Sequence, residues 1–323
     1  MASDGDPVAR GTADDEDLYE IADWDRRSWL DGLAVRVHGG LRAARKWTLI
    51  VVATVLFVVQ LAFAGLLVAR RPQLGVLAVL SAVPAFALAA YVWYGDPTRR
   101  QPIETLAITF VLSVLFASIA ALVNTVLNPL FSLIPVVGIV LYFYLVVAPI
   151  EETVKWLAIR THAYNADTFG AVVDGAVYGA VAGLGFATIE NTIYIAQGYM
   201  QASGVEGMSA IVGAVQTATS RAFVGPGHVL YSSFAGYYLG LAKFNPEDAG
   251  PIVVKGLLVA ALIHATYNSL VSTLPFGAFP GPSILWGLGF IVGFDLLVAY
   301  ALFRKLARYR EHYQRTSAET ADA

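Results

Sequence analysis

The chain has 323 residues, of which 57% are hydrophobic and 14% charged, with a net charge of −3 and a mean hydropathy of +0.62. Soluble domains carry roughly 25% charged residues, so this composition excludes an ordinary water-soluble globule and marks a membrane protein. It has no cysteine, which excludes disulfides, thiolate metal ligands and a cysteine nucleophile, and no nucleic-acid partner is expected of it.

Residues 1–46 come first. Ten of the 24 acidic residues lie in the first 31 positions, a polar segment expected to be a disordered, solvated tail. In the following "WLDGLAVRVHGGLRAARKW", Trp29, Leu33, Val37 and Leu41 recur at helical spacing against Arg36, Arg42 and Arg45. This pattern suits an amphipathic helix lying on the inner membrane surface. The first long apolar run is too long and too far into the chain for a cleavable signal, and is expected to remain as an anchor.

Apolar stretches long enough to cross a bilayer, about 20 residues each, fall near 47–69, 73–94, 103–126, 131–150, 170–198, 208–242, 251–274 and 282–303. The fold expected is therefore an all-α, polytopic transmembrane bundle of about eight spans in the cell membrane. Arg42, Arg45 and Lys46 before the first span, Arg99 and Arg100 after the second, Arg160, Lys243, and the Arg304–Arg310 cluster place both termini in the cytoplasm, with Arg70 and Arg71 as the outward exception. Residues 47–303 form the membrane domain, with its chemistry near 131–275, and 304–323 form a basic, then polar, cytoplasmic tail.

The first three spans carry almost no ionisable groups and read as packing scaffold. The second half places Glu151, Glu152, Lys155, Asp174, Glu190, Arg221, His228, His264, Asn268 and Asp295 in or beside apolar spans. Each charge at a helix centre costs on the order of 2.5–3.5 kcal/mol on insertion scales, so several together point to a polar functional site. Residues four apart share a helix face, which pairs Glu151 with Lys155, Phe186 with Glu190, His228 with Ser232, and His264 with Asn268. Gly175, Gly179 and Gly183 form a small-residue stripe that admits a close neighbour, and Gly236 and Gly240 extend a second stripe from His228 and Ser232. Turns near Gly170 and Pro246 would bring Glu151 level with Glu190, and His228 level with His264, roughly 27–30 Å along their helices. Gly225-Pro226-Gly227 is expected to interrupt the sixth span at His228. Arg221 compensates a carboxylate or meets the outer headgroups, while Asp174 and Asp295 read as helix-pairing or interfacial groups.

The segments "EETVK", "FATIEN", "RAFVGPGHVLYSSFAGYYLG" and "HATYN", in this order and phase, resemble the PrsW family of intramembrane proteases, itself similar to the CAAX-prenyl proteases and bacteriocin-processing membrane enzymes. The resemblance covers about residues 100–275. It implies that Glu151 and Glu152 are the glutamate pair, that Glu190 stands where the wider group has a histidine, that His264 and Asn268 form the third motif, and that His228 is an additional PrsW-like position. Lys155 stands near an expected Arg, and Phe186, Asn191 and Arg221 are supporting residues. The implied activity is endopeptidase cleavage of a membrane-anchored protein, such as a single-pass anti-sigma factor cut toward its outer side.

For such chemistry Glu151 is the expected base holding water, with Glu152 or Glu190 as its partner, His264 and Asn268 as oxyanion donors, and Lys155 orienting Glu151. A glutamate-type mechanism with no required cofactor is the favoured expectation, since there is no HExxH. If zinc is bound, Glu151, Glu190, His228 and His264 are the candidate set. The rival class is a proton-coupled transporter, opposed by the lack of an internal repeat, and a third is a scaffold that binds single-span partners through the glycine faces.

Overall fold

The computed structural model describes residues 6–11, 16–43, 71–98, 100–205, 209–278 and 283–322, which are helical apart from turns and one isolated bridge between Tyr19 and Asp23. In chain order the helices are α1 (Pro7–Gly11), α2 (Trp29–Ala43), α3 (Pro72–Tyr94), α4 (Ile103–Ser132), α5 (Gly138–Tyr142), α6 (Ala148–Thr161), α7 (Val172–Ser203), α8 (Ala210–Phe244), α9 (Ala249–Thr273) and α10 (Ser283–Asp322). Five of them, α3, α4, α7, α9 and α10, are long and apolar enough to cross a membrane. The expected first span, 47–69, lies outside the described residues.

At the centre stands α7, 89% of whose apolar window is buried, against 22% for α4 and 11% for α10, which face outward. It packs on α3, α4, α6 and above all α8. The tight α7–α8 pairing follows from the glycine stripes. A Cβ on Gly175, Gly179 or Gly183 would run into the carbonyls of Gly236, Ser232 or His228, and one on Gly240 into that of Val172. With no side chains between them the two backbones touch, and this contact seats His228 opposite Gly183. Ser113 Oγ on α4 donates to the Ala182 carbonyl (2.6 Å), and Asn191 Nδ2 to Ser81 Oγ on α3 (3.0 Å), tying the outer helices to the central one.

Three expectations are corrected here. In place of a helix over 131–150, α5, a π turn at Phe143–Val147 and α6 run as one rod from Gly138 to Thr161, so Glu151 and Glu152 lie within a helix and not at its end. The widened turn falls where Pro149 removes the donor for Leu145's carbonyl. The sixth span is not broken at His228, since α8 is continuous with Pro226 inside it. One backbone hydrogen bond is lost there, but α7 and α3 hold the helix on both sides.

The third concerns the acidic N-terminal segment: its described residues Asp6, Glu20 and Asp31 pack on the bundle, whereas Asp17, Asp23 and Asp25 stay exposed. Asp6 accepts from the Val172 amide (2.9 Å) and from Tyr309 (2.9 Å). Glu20 pairs with Lys255 and Lys305, and Asp31 with Lys255 at 2.6 Å. Composition predicted solvation because the neutralising lysines lie more than two hundred positions away. Helix α2 packs against α9.

Candidate active site

Five helices contribute to one buried cluster, with Glu151, Glu152 and Lys155 from α6, Phe186 and Glu190 from α7, Arg221, His228 and Ser232 from α8, His264 and Asn268 from α9, and Asn124 from α4. Glu151, Glu152, Lys155, His228 and His264 are each no more than 3% exposed. They border a cavity of about 680 Å³ whose lining includes Glu151, Glu190, His228, His264, Asn268 and Asn124. That volume lies within the range of small-ligand sites.

Glu152 is the fully engaged carboxylate. Its Oε1 accepts from Lys155 Nζ (2.7 Å) and lies 2.9 Å from His264 Nδ1, and its Oε2 accepts from Ser232 Oγ (3.3 Å). The expected pairing of Lys155 with Glu151 is therefore corrected: the lysine bonds Glu152, three positions before it, and reaches His228 Nδ1 (3.0 Å) while resting over the Phe186 ring at 4.3 Å. An anionic Glu152 cannot donate, so the Nδ1–H of His264 donates to it and the Nε2 lone pair is turned toward Glu151. Nε2 lies 3.7 Å from Glu151 Oε2, a buried oxygen with no hydrogen-bond partner among the described residues.

Glu190 Oε2 is held by Arg221 and lies 2.9 Å from His228 Nε2. Arg221 also donates to Asn191 Oδ1 (2.8 Å), and of its two expected roles the structure supplies carboxylate compensation. Asn191 itself is buried toward α3, and Asn268 borders the cavity one turn beyond His264. Asp174 accepts from the amides of Gly170 and Ala171 at the start of its own helix, well apart from the cluster.

Glu151, His228 and His264 each present one ligand atom within 4.8 Å of the others. This trio fits a divalent cation. The partnerless Glu151 oxygen faces an imidazole lone pair, and the Glu152 carboxylate behind His264 is the kind of partner that fixes a ligating imidazole. Lys155 can only donate to His228 Nδ1, so His228 carries its proton on Nε2 and donates to Glu190; ligation through Nε2 requires that proton to leave and the Glu190 oxygen to move off the ring. Glu190, expected in the ligand set, is not within this trio.

Two residues escaped the sequence reading. Asn124 Nδ2 donates to Glu151 Oε1 (3.0 Å), and Tyr142 OH donates to the Asn124 carbonyl (2.7 Å). The available signal was two amides one turn apart, Asn124 and Asn128, in the largely apolar second half of α4.

Residues 101–301 match the family model described as PrsW family intramembrane metalloprotease. Among curated relatives, a protease PrsW of Geobacillus kaustophilus is 30% identical over 193 residues, 58% of this chain and 76% of the relative. One of Bacillus subtilis is 29% identical over 220 residues, 66% and 92% of the two chains. One of Clostridioides difficile is 24% identical over 221 residues, 67% and 84%. No solved structure matches.

Proposed function

We propose, from the premise that this chain belongs to the PrsW family of intramembrane proteases and is a multi-pass membrane peptidase, that its hydrolytic centre is the Glu151, His228 and His264 cluster holding a divalent cation of the zinc class. The observation that carries this reading is the partnerless Glu151 Oε2 facing His264 Nε2 at 3.7 Å. A cation bound there supplies a Lewis acid and a more acidic water.

The remaining chemistry belongs to the side chains. Glu152 keeps the His264 proton on Nδ1, and Lys155 neutralises Glu152 so that this arrangement persists without bulk water. Glu190, bordering the cavity and held by Arg221, takes the proton of the attacking water and returns it to the leaving amine. The Asn268 amide donates to the developing oxyanion. The substrate is a membrane-anchored protein, and the family resemblance favours a single-pass regulator of the anti-sigma-factor kind, cut toward its outer side.

The test is cleavage of a membrane-anchored reporter by purified full-length protein, with and without a strong chelator and then with zinc restored. Loss on chelation and recovery with zinc supports the reading. Unchanged cleavage after chelation overturns the cation and leaves Glu151 itself as the base.

A further inference from the structure

We infer that Asn124 is a positioning residue of the hydrolytic site: its side-chain N–H holds the Glu151 carboxylate in the orientation that turns Oε2 toward His264. The inference rests on the reading of Glu151 given above and concerns a helix, α4, that the motifs leave out.

The Glu151 carboxylate has two oxygens with different fates. Oε1 accepts from Asn124 Nδ2 at 3.0 Å, whereas Oε2 has no partner among the described residues and faces His264 Nε2. Without the amide no hydrogen bond among the described residues distinguishes the two oxygens. With it, one oxygen is occupied and the other is committed to the cluster. The amide must present nitrogen rather than oxygen, because two acceptors cannot face each other at that distance.

Asn124 is itself held. Its backbone carbonyl accepts from Tyr142 OH at 2.7 Å, and the Tyr142 ring is 7% exposed and lies 5.6 Å from Phe131. The anchor thus reaches from α4 across to α5, just before the π turn that leads into α6 and Glu151. The other end of the amide, Oδ1, is buried with no hydrogen-bond partner among the described residues. An asparagine kept for packing alone would be replaced without loss by leucine, which occupies 122, 127 and 130 of the same helix. The bond to Glu151 is what leucine lacks. Partners that orient a metal-ligating side chain are typically worth 10- to 100-fold in affinity or rate.

The experiment uses full-length protein in detergent, stripped of metal, with zinc affinity measured by competition against a chromophoric chelator, and kcat and KM measured on a membrane-anchored reporter. Asn124→Leu keeps the shape and removes the donor. Asn124→Ser keeps a shorter donor, and thermal unfolding reports folding of each. The expected result is a 10- to 100-fold loss of zinc affinity and a similar loss of kcat in Asn124→Leu, with KM changed less than about twofold and partial recovery in Asn124→Ser. Glu151→Gln is the control. If it loses zinc while Asn124→Leu binds as tightly and turns over as fast as the parent, the inference is overturned. If Glu151→Gln binds zinc like the parent, the cation reading fails instead. The role of Asn124 is then decided by kcat alone: a tenfold or greater loss at constant KM sustains it, and an unchanged kcat ends it.

Discussion

His264 and Glu152 share a 2.9 Å hydrogen bond between two side chains that are 2% and 0% exposed. Lys155 donates to the same oxygen, Oε1, so Glu152 is both proton acceptor and counter-ion. Glu152→Ala is expected to cost about 3–5 kcal/mol by stranding a buried lysine, seen as a fall in unfolding temperature in detergent. A Glu152→Gln, Lys155→Met double variant should recover most of that stability. It should remain 10-fold or more below the parent in cleavage, because no anion is left to hold the imidazole proton.

A variant at Glu190 separates the proposed proton transfer from the proposed cation binding. Glu190→Gln is expected to lower kcat by about 10²- to 10⁴-fold, the range for loss of a general base, while zinc affinity stays within a few-fold of the parent. A parallel loss of affinity, read in the same competition assay, would move Glu190 into the ligand set and out of the role of base.

The α7–α8 seam predicts a steric effect. At Gly183 a side chain would meet the His228 carbonyl. Gly183→Val should destabilise the fold by about 1–3 kcal/mol through overpacking and reduce cleavage disproportionately, since the residue it displaces carries a site histidine. Gly287, beside which a Cβ would meet nothing within 4 Å, is the matched control: Gly287→Val should leave cleavage unchanged.

The N-terminal clasp has a pH dependence whose sign follows from its charges. Burial pushes Glu20 up, but Lys305 and Lys255 outweigh it and leave the carboxyl below its ordinary value. For Asp31 burial is likewise outweighed, by Lys255, Tyr19 and Ser28. Carboxylates held low add docking energy above their unfolded values, about pH 4, and lose it as the pH falls through the lowered ones. Burial raises Asp6 above its ordinary value despite the Val172 and Val8 amides and Tyr309, so that contact responds in the opposite sense. Cleavage by pepsin at Leu18–Tyr19 should therefore be slow above the ordinary carboxyl range and rise as the pH falls through the lowered values of Glu20 and Asp31. Lys255→Ala should expose the same bond at pH 5.

Helical phase made much of the site legible, because Glu190, His228 and His264 each lie on a face marked by small or polar neighbours at intervals of three, four or seven. What phase could not decide is which of two adjacent turns a long side chain chooses. Lys155 is one turn from both Glu151 and Glu152, and the choice of Glu152 depends on His228 and Ser232 arriving from another helix. Pro226 looked like a break because its local cost is visible in sequence, whereas the flanking helices that offset it are not. Asn124 was overlooked for a similar reason: the amides of Asn124 and Asn128 carry no charge to signal their expense in a largely apolar stretch. The docking of Glu20 and Asp31 was not legible because their partners, Lys255 and Lys305, are remote in the chain.

The bond between Tyr309 and Asp6 joins positions 303 residues apart. With it α1 and the C-terminal half of α10, remote in sequence, are fastened side by side. Pulling either of these two segments away from the bundle must first break that contact, so clasp variants should turn over faster in cells even where their catalytic constants are untouched.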